Sequence, residues 1–147
     1  MKKLLCFVIC LCMFFLCSCS SASKEEGLTG DILALCNEQR KKEGVAALET
    51  DAELSDSALI RASEISTDGN FNHIRPDGSG CFTVIKGEYS FAGENLARGK
   101  NDAAEIVSAW MASPDHKKNI MNPDFTRAGI AFIKSGDSYY YVMLFSG

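Results

Sequence analysis

Three side chains have the types from which a reactive or metal-binding centre is built: His73, Glu94 and His116, the first and last being the chain's two histidines. Two imidazoles and one carboxylate leave a further position open to water, a donor set suited to Zn²⁺ or another borderline divalent metal. Spacing alone does not select that chemistry, because no HExxH or other local ligand pair is present. Histidines in turns more often hydrogen-bond structurally than ligate. Glu94, in Gly93-Glu94-Asn95, has its own plain reading as a carboxylate tying loop amides together. Cys81 lacks any flanking motif of an activated thiol, which favours a packed or bridged cysteine over a nucleophile. Ser113 is accounted for by helix capping, and Lys117 and Lys118 by solvation.

The elements that must position these groups can be read from the surrounding pattern. Leu28, Ile32, Leu35 and Cys36 fall at helical spacing, with Lys41 and Lys42 in the last turn and Gly44 beyond. Thr50-x-x-Glu53 has the form of a capping box before a second helix, whose stripe is Leu54, Ala58, Ala62 and Ile65 and whose end is expected near Gly69. His73 then stands where helix gives way to the Pro76-Asp77-Gly78 turn. Residues 81–85 fit helix or strand, and 87–92 are equally undecided. Glu94 is expected in a turn between glycines.

Asp102-x-x-Glu105 opens a third helix, with Ala103, Ile106, Val107, Trp110 and Met111 on its buried face. Ser113-Pro114 starts a fourth, with His116 in its first turn. Asn122-Pro123 ends it, and strands over 127–134 and 139–145 form a hairpin across 135–138, with Tyr139 and Tyr141 on one face and Tyr140 on the other. Helices followed by a hairpin indicate an α+β domain with helices packed on an antiparallel sheet.

The first residues have another purpose. Lys2-Lys3 precede an apolar run from Leu4 to Leu16, short for a bilayer span and laid out as an export signal. Leu16-Cys17-Ser18-Cys19 resembles a bacterial lipobox, which makes residues 1–18 a lipoprotein signal peptide and Cys19 the lipidated residue holding the protein to a membrane. Residues 19–27 are small and polar and read as a flexible tether, leaving 28–147 as the domain. Of seven cysteines, only Cys36 and Cys81 lie in that domain; they are read either as a disulfide or as two buried thiols. Without Lys2 and Lys3, the 15 basic residues fall to 13 against 19 acidic ones. That acidic balance argues against nucleic acid as a partner and against electrostatic docking on anionic lipid.

Five separated motifs carry a family resemblance. They are Phe71-Asn72-His73-x-x-Pro76; Gly93-Glu94-Asn95-Leu96-Ala97-x-Gly99; Trp110-Met111-Ala112-Ser113-Pro114-x-His116-Lys117-x-Asn119-Ile120; Asn122-Pro123-x-Phe125-Thr126-x-x-Gly129-Ile130; and the opening Leu35-x-Asn37-x-x-Arg40-x-x-x-Gly44. Taken in chain order, these motifs make the chain resemble the bacterial branch of the CAP (SCP-like) superfamily over 28–147. The resemblance implies an α-β-α sandwich with a cleft lined by His73, His116 and Glu94. The family's usual second acid falls where this chain has Ser113, and Glu105 points away from the Trp110 face. The expectation is therefore an extracytoplasmic module that binds a small-molecule ligand or a protein partner, with a His/His/Glu cleft suited to a divalent metal. A hydrolase and a carrier of apolar molecules are the alternatives.

Overall fold

The segment Tyr139-Tyr140-Tyr141-Val142-Met143-Leu144-Phe145 is apolar on both faces, the pattern of a strand covered on both sides. It forms the middle of β4 (Ser138–Ser146). The structure, a computed structural model, describes residues 19–67 and 71–147, with residues 19–26 as backbone alone. The signal peptide read over 1–18, the Cys19 side chain and the helix end expected at Gly69 lie outside the described residues.

The elements run α1 (Cys19–Lys42), β1 (Glu49–Thr50), α2 (Ala52–Thr67), a 3₁₀ turn (Cys81–Val84), β2 (Ala92–Gly99), α3 (Ala103–Ala112), α4 (Pro114–Met121), β3 (Arg127–Ser135) and β4. The sheet order is β1-β3-β4-β2. β4 pairs antiparallel with both β2 and β3, while β1 adds to β3 in parallel, so the sheet is mixed rather than wholly antiparallel. β1 has two residues, too few to show an alternating pattern in the sequence.

Alternation along the strands sorts the core into two layers. Ala97, Ala128, Ile130, Tyr141, Met143 and Phe145 face α1, α3 and α4. Leu96, Ala131, Val142 and Leu144 face α2. The result is a three-layer α-β-α sandwich, the expected α+β class. Close packing of α2 depends on Gly129, where an added Cβ would lie 2.2 Å from the Leu54 carbonyl carbon.

Three local readings change. Backbone 19–27, read as a flexible tether, is helical and continuous with α1. Asp51, not Thr50, caps α2: its Oδ1 accepts from Leu54 N at 2.9 Å. Residues 92–99, of which Ala92 was undecided and Gly93-Glu94-Asn95 was read as a turn, form β2, because the ladder to β4 offsets the weak strand propensity of Gly93, Glu94 and Asn95. The third-helix cap is as expected, with Asp102 Oδ1 accepting from Glu105 N, and Trp110 is buried with its Nε1 donating to Leu96 O at 2.9 Å.

A histidine, a carboxylate and a thiol at the edge of the sheet

β2 is an edge strand, and its two faces address different helical layers. Glu94 shares the face of Leu96 and meets α2, whereas Asn95 shares the face of Ala97 and meets α4. The candidate site is assembled around this edge.

From the α2 side comes His73. The loop that bears it closes through an Ile74–Gly80 bridge and through Cys81 N donating to His73 O at 3.1 Å. His73 and Cys81 thus form the neck of a tight turn, whose tip carries the Pro76-Asp77-Gly78 sequence. Arg75 anchors the turn to α2 through Glu64, with Nη2 to Oε1 at 2.6 Å and Nε to Oε1 at 3.0 Å. Arg61, wholly buried on α2, donates to Asn72 O, to Glu64 and to Glu94.

Glu94 lies at the centre, 4 % exposed. Its Oε2 accepts from Arg61 Nε at 2.9 Å and its Oε1 lies 2.7 Å from His73 Nδ1. Burial alone would raise this carboxyl, but the hydrogen bonds from His73 and Arg61 outweigh it and hold Glu94 below the usual carboxylate range. An ionised carboxylate only accepts, so Nδ1 of His73 carries a proton and Nε2 is left as the basic or ligating nitrogen. The His73 side chain is 55 % exposed, so the ring forms the mouth of the site.

His116 arrives from the opposite layer on α4. Asn95 Nδ2 donates to His116 O at 3.0 Å, and Asn119 Nδ2 donates to Asn95 Oδ1 and to Glu94 O. Asn119, whose sequence offered only orientation or turn closure, therefore fastens α4 to β2. Gly93 permits this approach: a Cβ there would stand 3.3 Å from Asn119 Oδ1 and 2.9 Å from the Phe125 ring. Burial lowers the His116 pKa, the charge of His73 lowers it further, and Asp115 opposes both weakly. Its imidazole is thereby biased toward the neutral form that metals bind.

Not all three expected residues converge equally. His73 and Glu94 are in direct contact, and Cys81 joins them in one group whose donor atoms lie within 4.8 Å of one another. His116 is outside that group, close enough for His73's charge to act on it. Cys36 and Cys81 are free thiols and do not form the bridge that was one of the two readings. They belong to opposite layers: Cys36 packs in the α1 cluster, and Cys81 opens the 3₁₀ turn that packs against α2 and β2. Burial first, and then the Glu94 charge, push the Cys81 thiol up to about 12, which fits the expectation that it is no activated nucleophile. Ser113 caps α4 by position, with its side chain making no cap bond. Glu105 is exposed on α3 and supplies no second acid.

Sequence reasoning passed over Arg61 and Cys81 as members of this site. An arginine within the apolar face of α2, in line with Leu54, Ala58 and Ile65, was the available sign of a buried carboxylate opposite it.

Residues 33–145 match the family model of the cysteine-rich secretory protein family, CAP. Protein YkwD of Bacillus subtilis (strain 168) is 35 % identical over 120 residues, 80 % of this chain. The chain spans 47 % of YkwD, so it corresponds to about half of that protein. An outer surface protein from Borrelia burgdorferi superposes with a TM-score of 0.75 at 26 % identity, covering 82 % of this chain and 92 % of that one. A structure of NaASP2 with Zn²⁺ shares the fold at 15 % identity and a TM-score of 0.63, covering 82 % and 79 % of the two chains.

Proposed function

The chain belongs to the cysteine-rich secretory protein (CAP) family, and from that premise we propose that it is a lipid-anchored, extracytoplasmic binding module whose cleft at the β2 edge takes a divalent metal. The observation that carries the reading is the His73 Nδ1–Glu94 Oε1 contact of 2.7 Å, with Glu94 buried and His73 exposed. A carboxylate on one ring nitrogen orients an imidazole and strengthens the other as a ligand, the usual arrangement behind a metal-bound histidine. His73 and His116 supply the imidazoles. Glu94 supplies the carboxylate from beneath, its Oε2 held by Arg61 and its Oε1 directed at His73. Zn²⁺ suits such donors, and bound there it would present a Lewis-acidic position to a ligand or partner group.

Location outside the cytoplasm is supported by the charge-then-apolar layout of residues 2–16 and by the likeness to a bacterial outer surface protein. Among the described residues no helix is long and apolar enough to cross a membrane. The lipobox-like Leu16-Cys17-Ser18-Cys19 supports attachment through acyl chains at Cys19.

Calorimetric titration with Zn²⁺ tests the cleft. The wild-type chain is expected to bind one ion, and His73→Ala with His116→Ala to abolish that binding while the fold, checked by circular dichroism, persists. Equal binding by both proteins would remove the metal from this reading.

A further inference from the structure

Cys81 occupies a position that neither its sequence context nor the three-residue cleft explains. It is 5 % exposed, at the neck of the turn that also holds His73, facing the carboxylate of Glu94. The other thiol of the domain, Cys36, lies in an apolar cluster in the opposite layer.

We propose that Cys81 is a metal ligand, completing with His73 and Glu94 a sulfur-containing site selective for thiophilic divalent cations. The proposal rests on the reading that the cleft takes a metal, and it deepens that reading by naming the ligand and the class of ion.

Three observations converge on it. First, one donor atom from each residue lies within 4.8 Å of the other two. Ligand atoms around a tetrahedral ion at about 2.0–2.3 Å are separated by roughly 3.3–3.8 Å, so side-chain adjustments of about an ångström close the set on an ion. Second, the neck is rigid: the Ile74–Gly80 bridge, the Cys81 N–His73 O bond and the Arg75–Glu64 pairing fix the two residues relative to α2. Third, the arrangement is graded. Glu94 and Cys81 form a buried floor while the His73 ring is open to solvent, so a cation entering past the imidazole meets anionic donors below and keeps a solvent-facing position.

Arg61 is the outer support. It holds Oε2 of Glu94 and leaves Oε1 toward His73. Coordination by Cys81 replaces its S–H bond with a metal–sulfur bond, and the proton leaves to solvent. A thiolate in the set favours Zn²⁺ and Cd²⁺ over Mg²⁺ and Ca²⁺, which prefer oxygen donors throughout.

Co²⁺ is the probe, because thiolate ligation gives it a near-ultraviolet charge-transfer band that nitrogen and oxygen donors do not. The full chain, reduced and in detergent, is titrated alongside Cys81→Ser, Cys36→Ser, His73→Ala and His116→Ala. The expected result is a charge-transfer band lost in both Cys81→Ser and His73→Ala and kept in Cys36→Ser, with Co²⁺ affinity falling by about a hundredfold in Cys81→Ser. Dependence on His73 separates this band from any contributed by the cysteines of residues 6–19. Co²⁺ binding that needs His73 and His116 but shows no band dependent on Cys81 overturns the proposal and leaves the three-residue cleft standing. Absence of any binding dependent on His73 overturns both. Absence of the band from the wild-type spectrum overturns the proposal without reference to any variant, so a misfolded variant does not rescue it.

Discussion

Arg40 and Arg61 are both fully shielded from solvent, yet they sit in opposite chemistry. Arg40, on α1, donates only to main-chain carbonyls: Ala46 O at 2.6 Å, Ile120 O at 2.8 Å, and Asn122 O and Phe125 O at 2.9 Å. Arg61, on α2, donates to two carboxylates and one carbonyl. Burial lowers the Arg40 pKa, opposed only by Cys36. Burial lowers that of Arg61 as well, but its hydrogen bonds to Glu94 and Glu64 reverse the sign and raise it. The first arginine satisfies the carbonyls left where α4 ends, and so fixes the helix that carries His116. The second holds an ionised glutamate in a poorly hydrated place beside an exposed imidazole. One clamp supplies position, and the other supplies position and charge; only the second can respond to protons or cations.

The largest effect is expected at the first clamp. Arg40→Met leaves four carbonyls without their donor, and unsatisfied buried acceptors cost about 1–3 kcal/mol each before relaxation and water entry. A loss of about 4 kcal/mol in urea unfolding is expected, the same whether the substitution is made in the wild-type or the Glu94→Gln background. Arg61→Met is expected to cost about 3 kcal/mol, because it strands the Glu94 charge. Here the second substitution matters: Arg61→Met with Glu94→Gln should regain at least half of the loss, a coupling that residues in one ion-pair network show and distant ones do not. If Glu94→Gln rescued both arginine variants, or neither, the distinction between the clamps would fail.

The two clamps were also unequally legible. The helices, the closing hairpin and the burial of Trp110 followed from hydrophobic period and turn chemistry, and the structure has them. The edge strand bearing Glu94 was not visible, because Gly-Glu-Asn has little strand propensity and the ladder to β4 that makes it a strand is a long-range contact. Arg40 appeared only as a motif letter, since main-chain carbonyls leave no mark in a sequence. Arg61 did leave one, a charge within an apolar stripe, but its partner lies 33 positions away. His73 and Glu94 were placed in one cleft with His116 only through family resemblance; the structure puts the first two in contact. Cys81 was read as packed or bridged, because its closeness to both depends on a bridge between Ile74 and Gly80 that periodicity does not encode.

A smaller perturbation separates helix stability from site charge. Asp51→Ala removes the cap of α2 and the Arg127 pairing at 2.9 Å, and should cost about 1 kcal/mol. It leaves Glu94 with its partners, so the site's response to acid should survive at lower overall stability.

That response is the subtlest distinction between the clamps. Glu94 has a folded pKa depressed below its ordinary value of 4.5, burial being outweighed by the bonds from His73 and Arg61. Between that ordinary value and the depressed one, the unfolded chain binds the proton that the folded chain refuses, so stability rises with pH across this window. The contribution is fully present above pH 4.5 and is lost as pH falls through the folded pKa. Glu94→Gln should therefore flatten this part of the profile of unfolding free energy against pH, whereas Arg40→Lys should lower the whole profile and keep its slope. An unaltered acid slope in Glu94→Gln would mean that the buried carboxylate is not the group coupling the fold to protons, and the contrast between the two arginine sites would reduce to one of geometry.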